Sequence, residues 1–119
     1  MSALRKPRPL SERAIQTHLM NRWRALGRPG TLLACVPNAR AAGQAGLTRG
    51  LFDLVAIGGN VGCGWLELKT ERGSLSYHQE VFKAALVQNN VPYAVAYGLD
   101  QAIHVLETWE IIRREAIAA

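Results

Sequence analysis

Long apolar runs are missing from this chain of 119 residues. No stretch approaches the roughly 20 consecutive apolar residues that a membrane-spanning helix needs, so no membrane association is expected. Residues 1–9 are basic and broken by proline, without the apolar centre of a signal peptide, and the expected location is the cytoplasm. Cysteine is scarce too. Cys35 and Cys63 stand alone without C-x-x-C spacing, which excludes a zinc knuckle and a disulfide framework. Both lie in apolar runs and are expected to be buried small hydrophobes. A G-x-G-x-x-G loop between a strand and a helix is absent, so no nucleotide cofactor is expected. His18, His78 and His104 have no mutual metal-ligand spacing, and no Ser/His/Asp order or Cys/His pair is present to argue for covalent catalysis. Acidic residues are rare in the first half: residues 1–60 hold nine Lys/Arg against only Glu12 and Asp53. Residues 61–119 hold five Lys/Arg against seven acids, and the whole chain carries a net charge of +5. A basic half suits a polyanionic partner, most simply nucleic acid.

What is present is an ordinary globular composition, 49% apolar, in a chain of single-domain length. Residues 1–10 read as a basic flexible arm, because Arg5-Lys6-Pro7-Arg8-Pro9 combines like charge with proline. Residues 11–119 read as one domain. Ser11 is a good N-cap for a helix that reaches Leu26 before Gly27 and Pro29, with Ile15, Leu19, Trp23 and Leu26 as its apolar stripe. Strands are predicted at 31–36, 51–57 and 65–70, the last two joined as an antiparallel hairpin through Gly58-Gly59-Asn60. A second helix from Ser76 to about Asn89 should bury Val81, Phe82, Ala85 and Leu86. A strand at 93–97 precedes a last helix capped by Asp100, with Ala102, Leu106, Trp109 and Ile112 inward. The predicted order is α-β-β-β-α-β-α, an α/β fold whose mixed sheet is flanked by helices.

The chemistry concentrates in this hairpin. Glu67 and Lys69, two apart on a strand, share a face, and a neighbouring strand would bring Asp53 opposite them. Asp53 sits in the apolar run Leu51-Phe52-Asp53-Leu54-Val55-Ala56-Ile57, where a charge needs a partner. Two carboxylates beside one ammonium are the parts of a divalent-metal phosphodiesterase. An isolated E-x-K, however, is also common on solvent faces. Glu12 and Gln16 project from the same side as the first helix's apolar stripe. That hints at a partner for Glu12, although an acid in a first turn also suits the helix dipole. Ser76-Tyr77-His78-Gln79 matches a capping box, a role compatible with a contact from Gln79 to water or phosphate. Arg40, Arg49 and Arg72 flank the motif strands and are candidates for DNA phosphate contacts, or ordinary loop arginines.

Taken together, Ser11-Glu12-x-x-Ile15-Gln16, Pro37-Asn38, Gly50-x-x-Asp53-Leu54, Glu67-Leu68-Lys69 and Leu75-Ser76-x-x-Gln79 resemble the VRR-NUC family of the PD-(D/E)XK nuclease superfamily, whose stand-alone members are common in bacteriophages. The resemblance runs from about residue 11 to residue 109 in matching element order. It implies a restriction-endonuclease-like core and a metal-dependent endonuclease using Mg²⁺ or Mn²⁺. It also implies Asp53 and Glu67 as metal-binding carboxylates, joined by the Leu68 carbonyl. Lys69 would orient the attacking water or stabilise charge on the phosphate. Glu12 would reach the metal through water or hold a second ion, and Gln79 matches the family's glutamine after the catalytic strand. Branched DNA, Holliday junctions foremost, is the implied substrate, cut to 5′-phosphate and 3′-hydroxyl ends. Symmetric cutting of two strands implies a homodimer. One departure is Phe52, which stands where the superfamily signature has proline. The alternatives are a nickase or restriction-like endonuclease on plain duplex DNA with the same residues, or a catalytically silent DNA-binding module.

Overall fold

The computed structural model describes residues 8–37 and 48–115. Helix α1, Glu12–Leu26, begins where the Ser11 side chain accepts the Ala14 amide, and it buries Ile15 and Leu19. Strands β1 (Leu32–Cys35), β2 (Leu54–Gly58) and β3 (Gly62–Lys69) form an antiparallel meander. Helix α2, Tyr77–Gln88, then crosses over to β4, Tyr93–Tyr97, which lies parallel to β3. Helix α3, Leu99–Thr108, follows. The result is a mixed four-stranded sheet in the order β1-β2-β3-β4 with three helices, the predicted order of elements and an α/β fold.

Strand alternation sorts the side chains between two faces. Leu33, Leu54, Ala56, Leu66, Leu68 and Ala96 point to one face and join Ile15, Leu19, Ala102, Leu106, Ile111 and Ile112 in a single buried cluster. That face is covered by α1 and α3. The other face meets α2 through aromatic rings. Phe82 stands edge-on to Phe52 at 5.2 Å and to Trp65 at 5.1 Å, and Phe52 lies 6.3 Å from Tyr93.

Four expectations need correction. The strand predicted for 51–57 starts only at Leu54, and Asp53 lies in the bend before it. The physical reason is that the Asp53 amide donates to the Glu67 side chain instead of to a ladder partner. Cys35 and Cys63 are both exposed, one at the end of the edge strand β1 and the other beside the hairpin turn. Val81 and Ala85 are exposed, because α2 touches the sheet through Phe82 and Leu86 and turns the rest of its apolar positions outward. Asp100 does not cap α3. Gly98, at φ 92°, is the N-cap, and Asp100 sits in the first turn, where its charge still suits the helix dipole. Ile112 is buried as expected but lies beyond α3, bridging to Gly27. No helix among the described residues is long and apolar enough to cross a membrane.

Candidate metal centre

The bend before β2 and the end of β3 are laced together by their own acids. The Asp53 amide donates to Glu67 Oε1 at 3.1 Å, and the Leu68 amide donates to Asp53 Oδ2 at 2.9 Å. Each carboxylate therefore takes a backbone donor from the other's segment. The Asp53 carbonyl closes the frame by accepting the Val36 amide at 2.7 Å. A charged side chain in the apolar run is thus accounted for by reciprocal hydrogen bonds. The Lys69 carbonyl accepts the Gly98 amide on the β4 side. Carbonyls alternate direction along a strand, so the preceding one, that of Leu68, turns toward Asp53.

Glu67 is fully buried and Lys69 nearly so. Lys69 Nζ lies 3.4 Å from Glu67 Oε2, and Gln79 Nε2 donates to the same oxygen at 2.7 Å. Gln79 is held for that task by its own helix end. Its side-chain oxygen accepts the Ser76 amide while Ser76 Oγ accepts the Gln79 amide, a reciprocal capping box. One amide side chain thereby caps α2 and reaches the carboxylate. Burial, and next the Asp53 charge, push the Glu67 carboxyl up to about 8, against the opposing pull of Lys69. A single ammonium does not offset this desolvated pair of acids.

Glu12, exposed in the first turn of α1, completes the group. Glu12, Asp53 and Glu67 each offer a carboxylate oxygen, and these atoms lie within 4.8 Å of one another. Three convergent carboxylate oxygens, two of them on acids that repel each other in a largely dry setting, suit a hard divalent cation.

The structure thus brings Glu12, Asp53, Glu67, Lys69 and Gln79 to one place. Arg49 and Arg72 are exposed on turns flanking the motif segments, and Arg40 lies outside the described residues. Two features escaped the sequence reading. The direct bond from Gln79 to Glu67 depends on how α2 crosses the sheet. The backbone lacing of Asp53 depends on its sitting in a bend, for which the apolar run around it gave no signal.

No protein-family profile matches the sequence, and no curated protein matches it either. A search of solved structures finds similarity to a protein described as "VRR_NUC domain protein", with a TM-score of 0.71 and 22% identity. The match covers 86% of this chain and 89% of that one. At that identity the likeness establishes the fold alone: the chain has a VRR-NUC fold, and its described residues include an acidic cluster.

Proposed function

We propose that this protein is a Mg²⁺- or Mn²⁺-dependent endodeoxyribonuclease that hydrolyses phosphodiester bonds in branched DNA, Holliday junctions foremost, as a homodimer. The observation that carries the reading is the convergence of Glu12, Asp53 and Glu67 beside the buried Lys69 on a VRR-NUC fold. Glu12, Asp53 and Glu67 would hold the metal, with the Leu68 carbonyl as a further ligand. The bound cation would lower the pKa of water and neutralise charge on the scissile phosphate. Lys69, with its ammonium fixed beside Glu67, orients the attacking water and meets the negative charge as it builds on the phosphate. Gln79 keeps Glu67 turned toward Asp53 and offers the adjoining helix N-terminus to an anion. Arg49 and Arg72, with Arg40 from outside the described residues, are the candidates for contact with backbone phosphates, on a single domain of residues 11–119. Cutting two symmetric strands requires two such sites, hence the dimer. A bacterial cytoplasm, the setting of phage-type members of the resembled family, is the corresponding location.

The test is a panel of end-labelled junction, flap and linear duplex DNAs incubated with Mg²⁺ or Mn²⁺. Junction cleavage that disappears in folded Glu67→Ala and Lys69→Ala proteins supports the reading. Linear duplex cut as fast as junction replaces it with the nickase or restriction-like activity. DNA binding without cleavage under either metal leaves a silent binding module. Equal activity in the variants points to a contaminating nuclease. Sedimentation of the protein with junction DNA tests the dimer.

A further inference from the structure

Phe52 is fully buried although it belongs to the bend outside β2. The residue after it, Asp53, has its amide on Glu67 and its carbonyl on Val36. The bend is therefore tied by hydrogen bonds at Asp53 and by ring packing at Phe52. The ring of Phe52 seats edge-on against Phe82 of α2, which itself stands edge-on to Trp65 of β3. Phe82 lies three residues beyond Gln79, on the same side of the helix. The seat that Phe82 takes between Phe52 and Trp65 consequently fixes where Gln79 Nε2 falls, 2.7 Å from Glu67 Oε2. A single side chain thus touches both halves of the acid pair indirectly, through Phe52 to the Asp53 bend and through its own helix turn to Glu67.

We infer that Phe82 and Phe52 are positioning residues for the acid pair, their edge-to-face contact setting the Asp53 bend and Gln79 against the strand that carries Glu67. This rests on the proposed metal-dependent reading for its functional meaning, but its geometry can be tested without metal. An aliphatic side chain fills part of the same space, yet it lacks the edge-to-face preference that holds one ring orientation. Loss of the ring at position 82 should therefore loosen the site before it loosens the fold.

The experiment compares Phe82→Leu, Phe52→Leu, Phe82→Tyr and a control, Ile111→Val, whose fully buried side chain belongs to the opposite face. The first readout is amide hydrogen exchange of Asp53 and Leu68 in metal-free protein, referred to Ala56 in the middle of β2. In Phe82→Leu the two site amides are expected to exchange about tenfold faster relative to Ala56. The second readout is Mn²⁺ affinity by calorimetry, expected to fall about tenfold, as for other residues that orient metal ligands. Phe82→Tyr keeps the ring and should stay within about twofold of the unmutated protein, as should Ile111→Val at equal or greater loss of thermal stability. Phe52→Leu, if folded, should match Phe82→Leu; if it does not fold, Phe82→Leu alone decides. The inference is overturned if Phe82→Leu leaves the site amides unchanged, or if Ile111→Val moves them as much. An unmutated protein that binds no Mn²⁺ would sink the metal-dependent reading, while the exchange comparison would still decide this one.

Discussion

The two faces of the sheet are built from different materials. The face under α1 and α3 is aliphatic and closed: Leu33, Leu54, Leu66, Leu68, Leu106, Ile111 and Ile112 are all within 2% of full burial. The face toward α2 is aromatic and more open, with Trp65, Phe82 and Tyr93 only half-buried and Val81 and Val87 exposed. It is at the end of this second face that the chain buries a carboxylate and an ammonium. Burying a charge costs free energy that only close partners offset, whereas burying leucine stabilises directly. The comparison teaches a division of labour. The aliphatic face carries the stability that permits a destabilising polar site on the other.

Glu67→Gln breaks that comparison most sharply. Replacing the carboxyl by an amide of similar volume removes one of the two oxygens that accept from Asp53 and Gln79 and should cut DNA cleavage by about 10³-fold or more, if Glu67 holds the metal. The same variant should be no less stable than the unmutated protein at alkaline pH. The sign follows from linkage. Folding raises the Glu67 carboxyl from its ordinary 4.5 to about 8, so between those values the folded state holds a proton that the unfolded state has released. Without metal, stability should fall as pH rises through that window and level off above it. Urea unfolding in chelator at several pH values tests this, and in Glu67→Gln the slope from this group should vanish. A slope that persists unchanged would assign it to other groups.

Leu106→Ala attacks the other face. Leu106 is fully buried in the aliphatic cluster, and truncation should cost about 2–5 kcal/mol of stability. Mn²⁺ affinity should hold at temperatures where the variant remains folded. If metal affinity falls in step with stability, the two faces are not separable in the way proposed.

How much of this was visible beforehand follows the same division. The aliphatic face was legible because period-2 and helical patterns report burial directly: Ile15, Leu19, Ala102 and Leu106 all point inward as the spacing predicts. Glu67 and Lys69 were legible as a pair because a strand allows no other arrangement. On the α2 face the pattern misled. Val81 and Ala85 have the spacing of a buried stripe, but the helix meets the sheet through a few large side chains, and no local pattern encodes that standoff. Asp53 reads as a strand residue because its neighbours are apolar. Only its partners, Glu67 and Leu68 across the hairpin, show why the ladder begins one residue later. The departure at Phe52 was visible as a letter, but its packing against Phe82 required the crossover of α2.

The smallest effect separates the two tasks of Gln79. Ser76→Ala removes the hydroxyl that accepts the Gln79 amide, at an expected cost of about 1 kcal/mol in stability. The Gln79 side chain could still accept the Ser76 amide and still donate to Glu67, so cleavage should change little. Gln79→Ala removes one capping bond as well, and its stability should fall by a similar amount. It also strips Glu67 Oε2 of the donor at 2.7 Å, leaving Lys69 as that oxygen's remaining partner. Its cleavage rate should therefore fall well below that of Ser76→Ala, by about tenfold to a hundredfold. Thermal unfolding and junction-cleavage rates on the two variants decide the matter. Equal rates at equal stability would make Gln79 a helix cap alone, and the α2 face would then owe its site to Phe82 and Lys69 without it.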